Sequence, residues 1–122
     1  MAWKRELGIF GFLVGGAITA NRFVKLSADN TVVQSAAATD ASLGVAFATV
    51  ASTDPAVEVI THGIAKVEAG AAVSVGDQVI SDGSGRAITT AGATDIVCGK
   101  ALEAAAAGGV MISVLIGPWH VK

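Results

Sequence analysis

The residues of this 122-residue chain that could carry out chemistry are few and do not form a recognisable catalytic pattern. Two aspartates, Asp40 and Asp95, each end an Ala-Thr-Asp triplet. Short polar side chains at such places commonly cap a turn through the neighbouring backbone. A catalytic carboxylate pair would need the two side chains to be adjacent. The pattern therefore favours a structural role for both aspartates.

The histidines and the single cysteine indicate no stronger site. His62 precedes Gly63, where two strands are expected to join, and no partner that would orient it as a base is evident. Cys98 lies in an apolar run and is expected to be a small core residue without a disulfide partner. His120 lies near the chain end. Because zinc needs about four ligands, we predict no metal site, no cofactor and no catalytic residue.

Two glycine-containing segments lack the spacing of ligand-binding loops. Residues 8–11 are not followed by the further glycine of a dinucleotide motif and precede no clear helix. Residues 82–85, Asp-Gly-Ser-Gly, lack the ligand spacing of a calcium loop. Asp-Gly between two apolar runs is instead a strong hairpin signal, because glycine accepts a positive φ. We therefore predict a hairpin between residues 78–81 and 86–89.

The composition limits the class of protein. Charged residues make up 15% of the chain and the net charge is -2, so binding to nucleic acid through phosphate contacts is not expected. No apolar run is long enough to span a membrane. A chain rich in valine and glycine and poor in proline favours strands. The sparse charge suggests a surface partly covered by a partner, or one that is merely rich in alanine.

An internal repeat at a spacing of 55 residues organises the chain. Without gaps, Gly15 aligns with Gly70, Gly44 with Gly99, and the Asp40 triplet with the Asp95 triplet. Residues 8–62 and 63–117 are the predicted repeats, and 1–7 and 118–122 are terminal arms. Two copies are too few for a solenoid. We predict one all-β domain over residues 1–122, a small pseudo-symmetric barrel or sandwich with extended arms. Low-complexity coincidence is the alternative.

The strand pattern is clearest at residues 57–61 and 110–116, where apolar and other side chains alternate. In the second segment both faces are largely apolar, which predicts cover on both sides by the domain or by a neighbouring subunit. Residues 43–50 and 64–67 are further predicted strands. Residues 104–107 are predicted to be a strand end and loop. The apolar run 7–14, followed by Ala17-Ile18-Thr19-Ala20, resembles a signal peptide, but its counterpart in the second repeat argues against cleavage.

Both tryptophans, Trp3 and Trp119, lie in the predicted arms. Tryptophan is enriched at interface hot spots, so the arms are candidate anchors on another chain. The alternative is that the two ends meet and stack on each other. We predict a contact with a partner protein or a neighbouring subunit through Trp3, Phe10, Phe12, Trp119 and His120.

Several short segments carry a family resemblance. Residues 61–70 (Thr-His-Gly-Ile-Ala-Lys-Val-Glu-Ala-Gly), 75–79, 82–85, 99–104 and 112–116 resemble the capsid cement (decoration) proteins of tailed bacteriophages. The resemblance implies a β-rich structural protein on the exterior of the virion capsid. It implies binding between subunits of the major capsid protein, often as a homotrimer, and no catalytic residues, direct nucleic-acid contact or membrane contact.

Two other functions are compatible with a small β domain. The pseudo-repeat and residues 73–79 are similar to those of biotinyl and lipoyl carrier domains. These domains need a modifiable lysine at a hairpin tip, and residues 82–85 contain none. A small enzyme or ligand-binding β-barrel would need a cavity lined by His62, Asp40 and Asp95 together.

Overall fold

The computed structural model describes residues 8–90, 92 and 94–116. All regular secondary structure within these residues is β. The nine strands are β1 (Gly8–Val14), β2 (Phe23–Ala28), β3 (Thr31–Gln34), β4 (Ser42–Ala46), β5 (Ala56–Glu68), β6 (Gln78–Ser81), β7 (Ala87–Thr89), β8 (Gly99–Ala101) and β9 (Met111–Ile116). The all-β prediction is confirmed, and the pairing of β6 with β7 confirms the predicted hairpin.

The first five strands close into a barrel. Their order is β1-β3-β2-β4-β5, and the first half of β5 pairs back with β1. β1 and β3 are parallel, and the other neighbours are antiparallel. One side of each strand points inward, as the alternation of a half-buried strand predicts. The interior is filled by Ile18, Val24, Val32, Ala46, Val57 and Val59, with Phe12, Val14, Leu43 and Val50 packed against them.

The remaining strands repeat this arrangement around the second half of β5. That half pairs with β9, β9 with β8, β8 with β6, and β6 with β7. A single parallel bridge between Ala69 and Ala87 joins the end of β5 to β7 and completes the ring. We refer to the two rings as the first and the second barrel.

Each strand-to-strand pairing of the first barrel has a counterpart 55 residues further along the chain. The bridge Ile18–Val50 corresponds to Val73–Ala105, which is also an isolated antiparallel bridge. The β2–β4 and β4–β5 registers likewise correspond to β6–β8 and β8–β9. Two pairs of residues with positive φ also correspond at this spacing, Asn21 with Gly76 and Asn30 with Gly85. The strand registers of the two barrels thus match at a spacing of 55 residues.

The two barrels share β5. Residues 57–61 and 64–67, which the alternation suggests are separate strands, belong to one strand of 13 residues. No turn separates them because the strand passes directly from its partners β1 and β4 to its partner β9. Gly63, at the crossing point, is buried and has a φ of 112°. The predicted strand 43–50 is also shorter than expected and ends at Ala46.

Glycines at the corresponding positions 44 and 99 let the strands approach closely. A Cβ atom at Gly44 would collide with the carbonyl oxygen of Ile60. A Cβ atom at Gly99 would lie 2.7 Å from the carbonyl oxygen of Leu115. The recurrence of this glycine therefore has a direct steric cause.

The side of the first barrel packs against one end of the second. Phe23, Val45 and Ile60 belong to the same core as the interior of the second barrel, and Ile9 packs against that core. Three backbone hydrogen bonds cross this junction. The N–H of Phe23 donates to the oxygen of Gly85 (2.8 Å), that of Glu68 to Asn21 (3.0 Å) and that of Ile96 to Ala38 (3.0 Å).

Candidate partner-binding surface

The two aspartates of the Ala-Thr-Asp triplets occupy corresponding turns. Asp40 Oδ2 accepts hydrogen bonds from the N–H groups of Ala36 (2.8 Å) and Ala37 (3.0 Å). Asp95 Oδ2 accepts one from the N–H of Gly92 (2.7 Å). Each carboxylate thus binds backbone donors of its own turn, which is the geometry of a capped turn.

Asp40 also binds Lys25, whose Nζ lies 3.0 Å from Oδ1. Desolvation tends to raise the pKa of this carboxyl group. The hydrogen bonds from Ala36, Lys25 and Ala37, with the positive charge of Lys25, together outweigh desolvation, and the pKa is lowered from 3.8. The carboxylate is therefore held ionised in a structural role.

Neither His62 nor Cys98 has the surroundings of a reactive group. His62 is exposed on β5, and its Nδ1 lies 3.3 Å from the hydroxyl of the adjacent Thr61. Cys98 is buried in the core that joins the barrels. Burial raises the pKa of its thiol to about 11, so the nucleophilic thiolate is disfavoured near neutral pH.

The tip of the β6–β7 hairpin is held by its own aspartate. Asp82 Oδ1 accepts hydrogen bonds from the N–H groups of Ser84 (2.8 Å) and Arg86 (2.9 Å). Glycine at position 85 has a φ of 77°, as a tight turn requires. The same tip lies against the first barrel, because Gln34 Nε2 donates to the oxygen of Ser84 (2.9 Å). A tip in this position lacks both the lysine and the freedom that a swinging carrier needs.

Arginine and carboxylate side chains connect the barrels beside this tip. Arg22 Nη2 lies 3.1 Å from Glu68 Oε1, and Arg22 Nη1 donates to the oxygen of Ser84 (3.2 Å). Arg86 lies 3.7 Å from the other oxygen of Glu68 and 3.2 Å from Asp82 Oδ2. These charged groups fix the orientation of one barrel on the other.

The described part of the chain contains neither a candidate metal site nor a helix that could span a membrane. In residues 8–90, 92 and 94–116 no group of three or more His, Cys, Asp or Glu side chains could hold a metal ion. Over the same residues no helix is long and apolar enough to cross a lipid bilayer.

The outer face of β9 carries exposed apolar side chains on either side of Ser113. Met111 and Leu115 point outward from this strand and are each 45% exposed, whereas Ile112, Val114 and Ile116 point into the core. Leu115 lies beside Ile64 of β5, and the N–H of Leu102 donates to the oxygen of Ser113 (2.8 Å). We call Ile64, Leu102, Met111 and Leu115 the β9 surface.

Charged side chains lie among and beside the residues of the β9 surface. Lys66 lies beside Ser113, and Lys100 lies beside Leu115. Glu103 Oε1 accepts hydrogen bonds from the hydroxyl (2.7 Å) and the N–H (2.8 Å) of Ser113. These bonds lower the pKa of the Glu103 carboxyl group. The β9 surface is therefore a mixed face of apolar and charged side chains, as most non-obligate protein interfaces are.

The residues predicted to contact other chains differ in how exposed they are. Phe10 is exposed, whereas Phe12 is half-buried and packs against the core of the first barrel. Trp3, Trp119 and His120 lie outside the described residues. The sequence pattern predicts two apolar faces for β9, but it does not indicate the exposed apolar residues Leu13, Leu26, Phe47 and Leu102. The only signal in the sequence is that Phe47 and Leu102 are 55 residues apart and so occupy matching positions of the predicted repeats.

Solved structures show the same architecture. The head fiber gp8.5 N base of bacteriophage phi29 superimposes with a TM-score of 0.73 over 94% of this chain and 98% of that chain. The two sequences are 22% identical, so the likeness shows the fold. No curated protein sequence matches the chain.

The fold and the surface define a class, an all-β double barrel whose polar groups serve its own turns and whose outer strand face is apolar. Residues 12–116 match the phage cement protein family. The chain belongs to this family and is a non-enzymatic structural protein associated with the phage head. The predicted family resemblance is thereby confirmed.

Proposed function

We propose that the chain binds the outer surface of the phage head between subunits of the major capsid protein and stabilises the shell. The observation that carries this proposal is the exposed β9 surface of a phage cement protein. Full burial of one large apolar side chain contributes about 1.5–3 kcal/mol. A half-exposed leucine or methionine therefore has roughly 1 kcal/mol still to gain from a partner.

Repetition over the shell would turn such weak contacts into firm binding. Each head offers many identical sites, so several modest contacts made by one assembly act together. We propose a homotrimer or another self-associated form on the capsid for the same reason. Cement bound across subunit boundaries would oppose the outward pressure of the packaged DNA.

The position of the chain ends supports a contact at this face. Ile116, the last described residue of β9, lies beside Gly63, and Gly8 lies beside the adjacent His62. Gly8 and Ile116, the first and last described residues, therefore lie at one place on β5, close to Leu115. Trp119 and His120 follow β9 by only a few residues, and we propose that they extend the β9 surface. Trp3, Phe10 and the exposed part of Phe12 are the corresponding N-terminal candidates.

A binding assay with phage heads that lack this chain tests the proposal. We expect wild-type protein to sediment with such heads and to delay the release of DNA on heating. Leu115→Asp places a charge in the β9 surface and should lower binding at least tenfold, since burying an unpaired carboxylate is costly. Phe47→Asp, a similar change on an exposed residue of the first barrel, is the control and should retain binding.

Equal binding of Leu115→Asp and the wild type would exclude the β9 surface as the contact. Mass spectrometry of purified virions provides a separate test of the function itself. The chain should be present in virions at a fixed ratio to the major capsid protein. Its absence there would exclude a role as cement in the mature particle.

A further inference from the structure

The outer side of the first barrel meets the second barrel along one row of residues. The row crosses β1, β5, β4 and β2 in register, and we call it the junction row: Ile9, Ile60, Val45 and Phe23. Phe23, Val45 and Ile60 are buried in the core that also fills the second barrel. Ile9 packs against the same core. The junction row is therefore the part of the first barrel that docks on another protein surface, in this case one of the same chain.

The second barrel carries the corresponding row in an exposed position. The residues 55 positions further along the chain pair in the same order across β5, β9, β8 and β6, and we call them the free row: Ile64, Leu115, Lys100 and Gln78. Leu115 is 45% exposed, Lys100 is also exposed, and Ile64 and Gln78 are partly buried. The face that docks the first barrel thus has an exposed counterpart on the second.

The rest of the β9 surface corresponds to residues that the junction leaves in solvent. Leu102 corresponds to Phe47 and Met111 to Ala56, each 55 residues earlier in the chain. Phe47 and Ala56 are both exposed, although the junction row on the same face is buried. Docking of the first barrel therefore buries one row of this face and leaves the rows beyond it uncovered.

We propose that the free row is the part of the β9 surface that docks on the major capsid protein, in the way that the junction row docks on the second barrel. This inference rests on the proposed function and narrows its contact. Leu115, Ile64 and Lys100 lie in the interface, whereas Leu102 and Met111 stay exposed beside it.

The surface that receives the junction row indicates the chemistry of the capsid site. Ala65 and Cys98 of the second barrel share a core with Phe23 and Val45. Small side chains at these places leave room for the large ones of the junction row, because protein interiors are closely packed. The site for the free row is therefore a shallow apolar depression lined by small side chains.

Lys100 indicates the charge of that site. It holds the place that Val45 holds in the junction row, and no carboxylate of the described residues forms an ion pair with it. Its aliphatic stem can lie on an apolar surface while the ammonium group reaches the edge. Because an ammonium group that loses water without a partner is costly, the edge of the depression should carry a carboxylate.

A second copy of this chain does not offer such a depression. The positions of its first barrel that correspond to Ala65 and Ser81 of the second hold Phe10 and Leu26. Ala65 and Ser81 are buried, whereas Phe10 is 55% and Leu26 is 52% exposed. These two large side chains occupy the space that the free row would need. The partner is therefore a different protein.

Two matched variants of β9 test the position of the contact on phage heads that lack this chain. Leu115 and Met111 are each 45% exposed on the same strand, but only Leu115 belongs to the free row. Leu115→Asp should weaken binding to the heads about tenfold or more, because it places an unpaired carboxylate in the interface. Met111→Asp should change binding by less than about twofold, as a substitution on a free surface does.

A second matched pair tests the charge of the site. Lys100→Glu should weaken binding about tenfold or more, because it sets two like charges against each other. Lys66→Glu, the same reversal outside the free row, is the control and should retain binding. Binding of the wild type should weaken as the salt concentration rises. Lys100→Met, which keeps the aliphatic stem, should bind more weakly and respond less to salt.

Circular dichroism confirms that each variant is folded before it is added to the heads. An equal loss for Met111→Asp and Leu115→Asp, or full binding of Lys100→Glu, would overturn the inference alone, since the wild type still binds. Wild-type protein that fails to bind heads would overturn the proposed function as well. Sedimentation of the isolated protein gives a last check. An oligomer that Leu115→Asp converts to monomers would identify a second copy as the partner of the free row and overturn the inference.

Discussion

At the scale of single residues, the polar groups of this chain are used to hold turns and to join the barrels. Asp40, Asp82 and Asp95 each accept backbone hydrogen bonds within their own turn. Arg22 and Glu68 form an ion pair across the junction between the barrels. Such groups would be costly to bury without partners, and here each of these carboxylates has a partner. Because these side chains are engaged in turns and in the junction, they are not arranged as a reactive site in the described residues.

Asp40 should make the stability of the protein depend on pH. Its pKa in the folded protein is below the ordinary value of 3.8, so its stabilising contribution is present above 3.8 and is lost as the pH falls through the lower value. Asp40→Asn should lower the free energy of unfolding at pH 7 by about 1 kcal/mol, the usual effect of losing a capping carboxylate. Urea unfolding at several pH values measures this difference.

The difference between Asp40→Asn and the wild type should shrink in acid, because the wild-type carboxyl group is then protonated as well. Val33→Ala is the control, since it removes packing and no titrating group. Its effect on the free energy of unfolding should persist at low pH. An Asp40→Asn effect that is equally large at pH 7 and well below 3.8 would contradict a contribution from the ionised carboxylate.

At the scale of strands and turns, the hairpin of β6 and β7 could be predicted from sequence and the shared strand β5 could not. Asp-Gly between apolar runs specifies a turn locally, through the positive φ that glycine accepts. In contrast, His62-Gly63 resembles a strand boundary because glycine commonly ends a strand. Whether β5 turns or continues there depends on β1, β4 and β9, which pair with it from distant parts of the chain.

The candidate surface shows the same division between local and distant information. The two apolar faces of β9 follow from the alternation of its residues. The exposure of Met111 and Leu115 depends on which strands cover β9, and that is set by the assembly of the whole barrel. Leu26 is equally apolar in sequence, yet it is 52% exposed in the folded chain.

Gly63 should be a sensitive position of β5. Its φ of 112° is strained for any residue with a Cβ atom. Gly63→Ala should therefore lower the free energy of unfolding by about 1–2 kcal/mol or more. Gly11→Ala on β1 is the matched control, because the added Cβ meets no atom within 4 Å and the residue has no positive φ.

The control variant should change the free energy of unfolding by less than about 0.5 kcal/mol. Urea denaturation of both variants under the same conditions gives the comparison. Equal stability of Gly63→Ala and Gly11→Ala would show that the crossing point of β5 relaxes freely between the two barrels.

At the scale of the whole molecule, the two barrels should form one cooperative unit. The second barrel takes its first strand from β5, and its core includes Phe23 and Val45 of the first barrel. A fragment of residues 63–122 would lack these side chains and expose the end that they cover. The two barrels therefore differ from independent domains, each of which would bury its own core.

Phe23→Ala tests this cooperativity, because Phe23 lies in the first barrel and packs in the core of the second. Truncating a buried phenylalanine costs about 3–5 kcal/mol, and we expect one urea transition at a lower concentration for both barrels.

Circular dichroism follows both barrels, and labelling of the Cys98 thiol follows the second. Burial raises the pKa of this thiol to about 11 in the folded protein, so labelling at mildly basic pH requires unfolding. Phe47→Ala, on the exposed surface, should leave both signals at their wild-type midpoints. If Cys98 stayed protected in Phe23→Ala while the circular dichroism signal fell by half, the second barrel would be stable without the first.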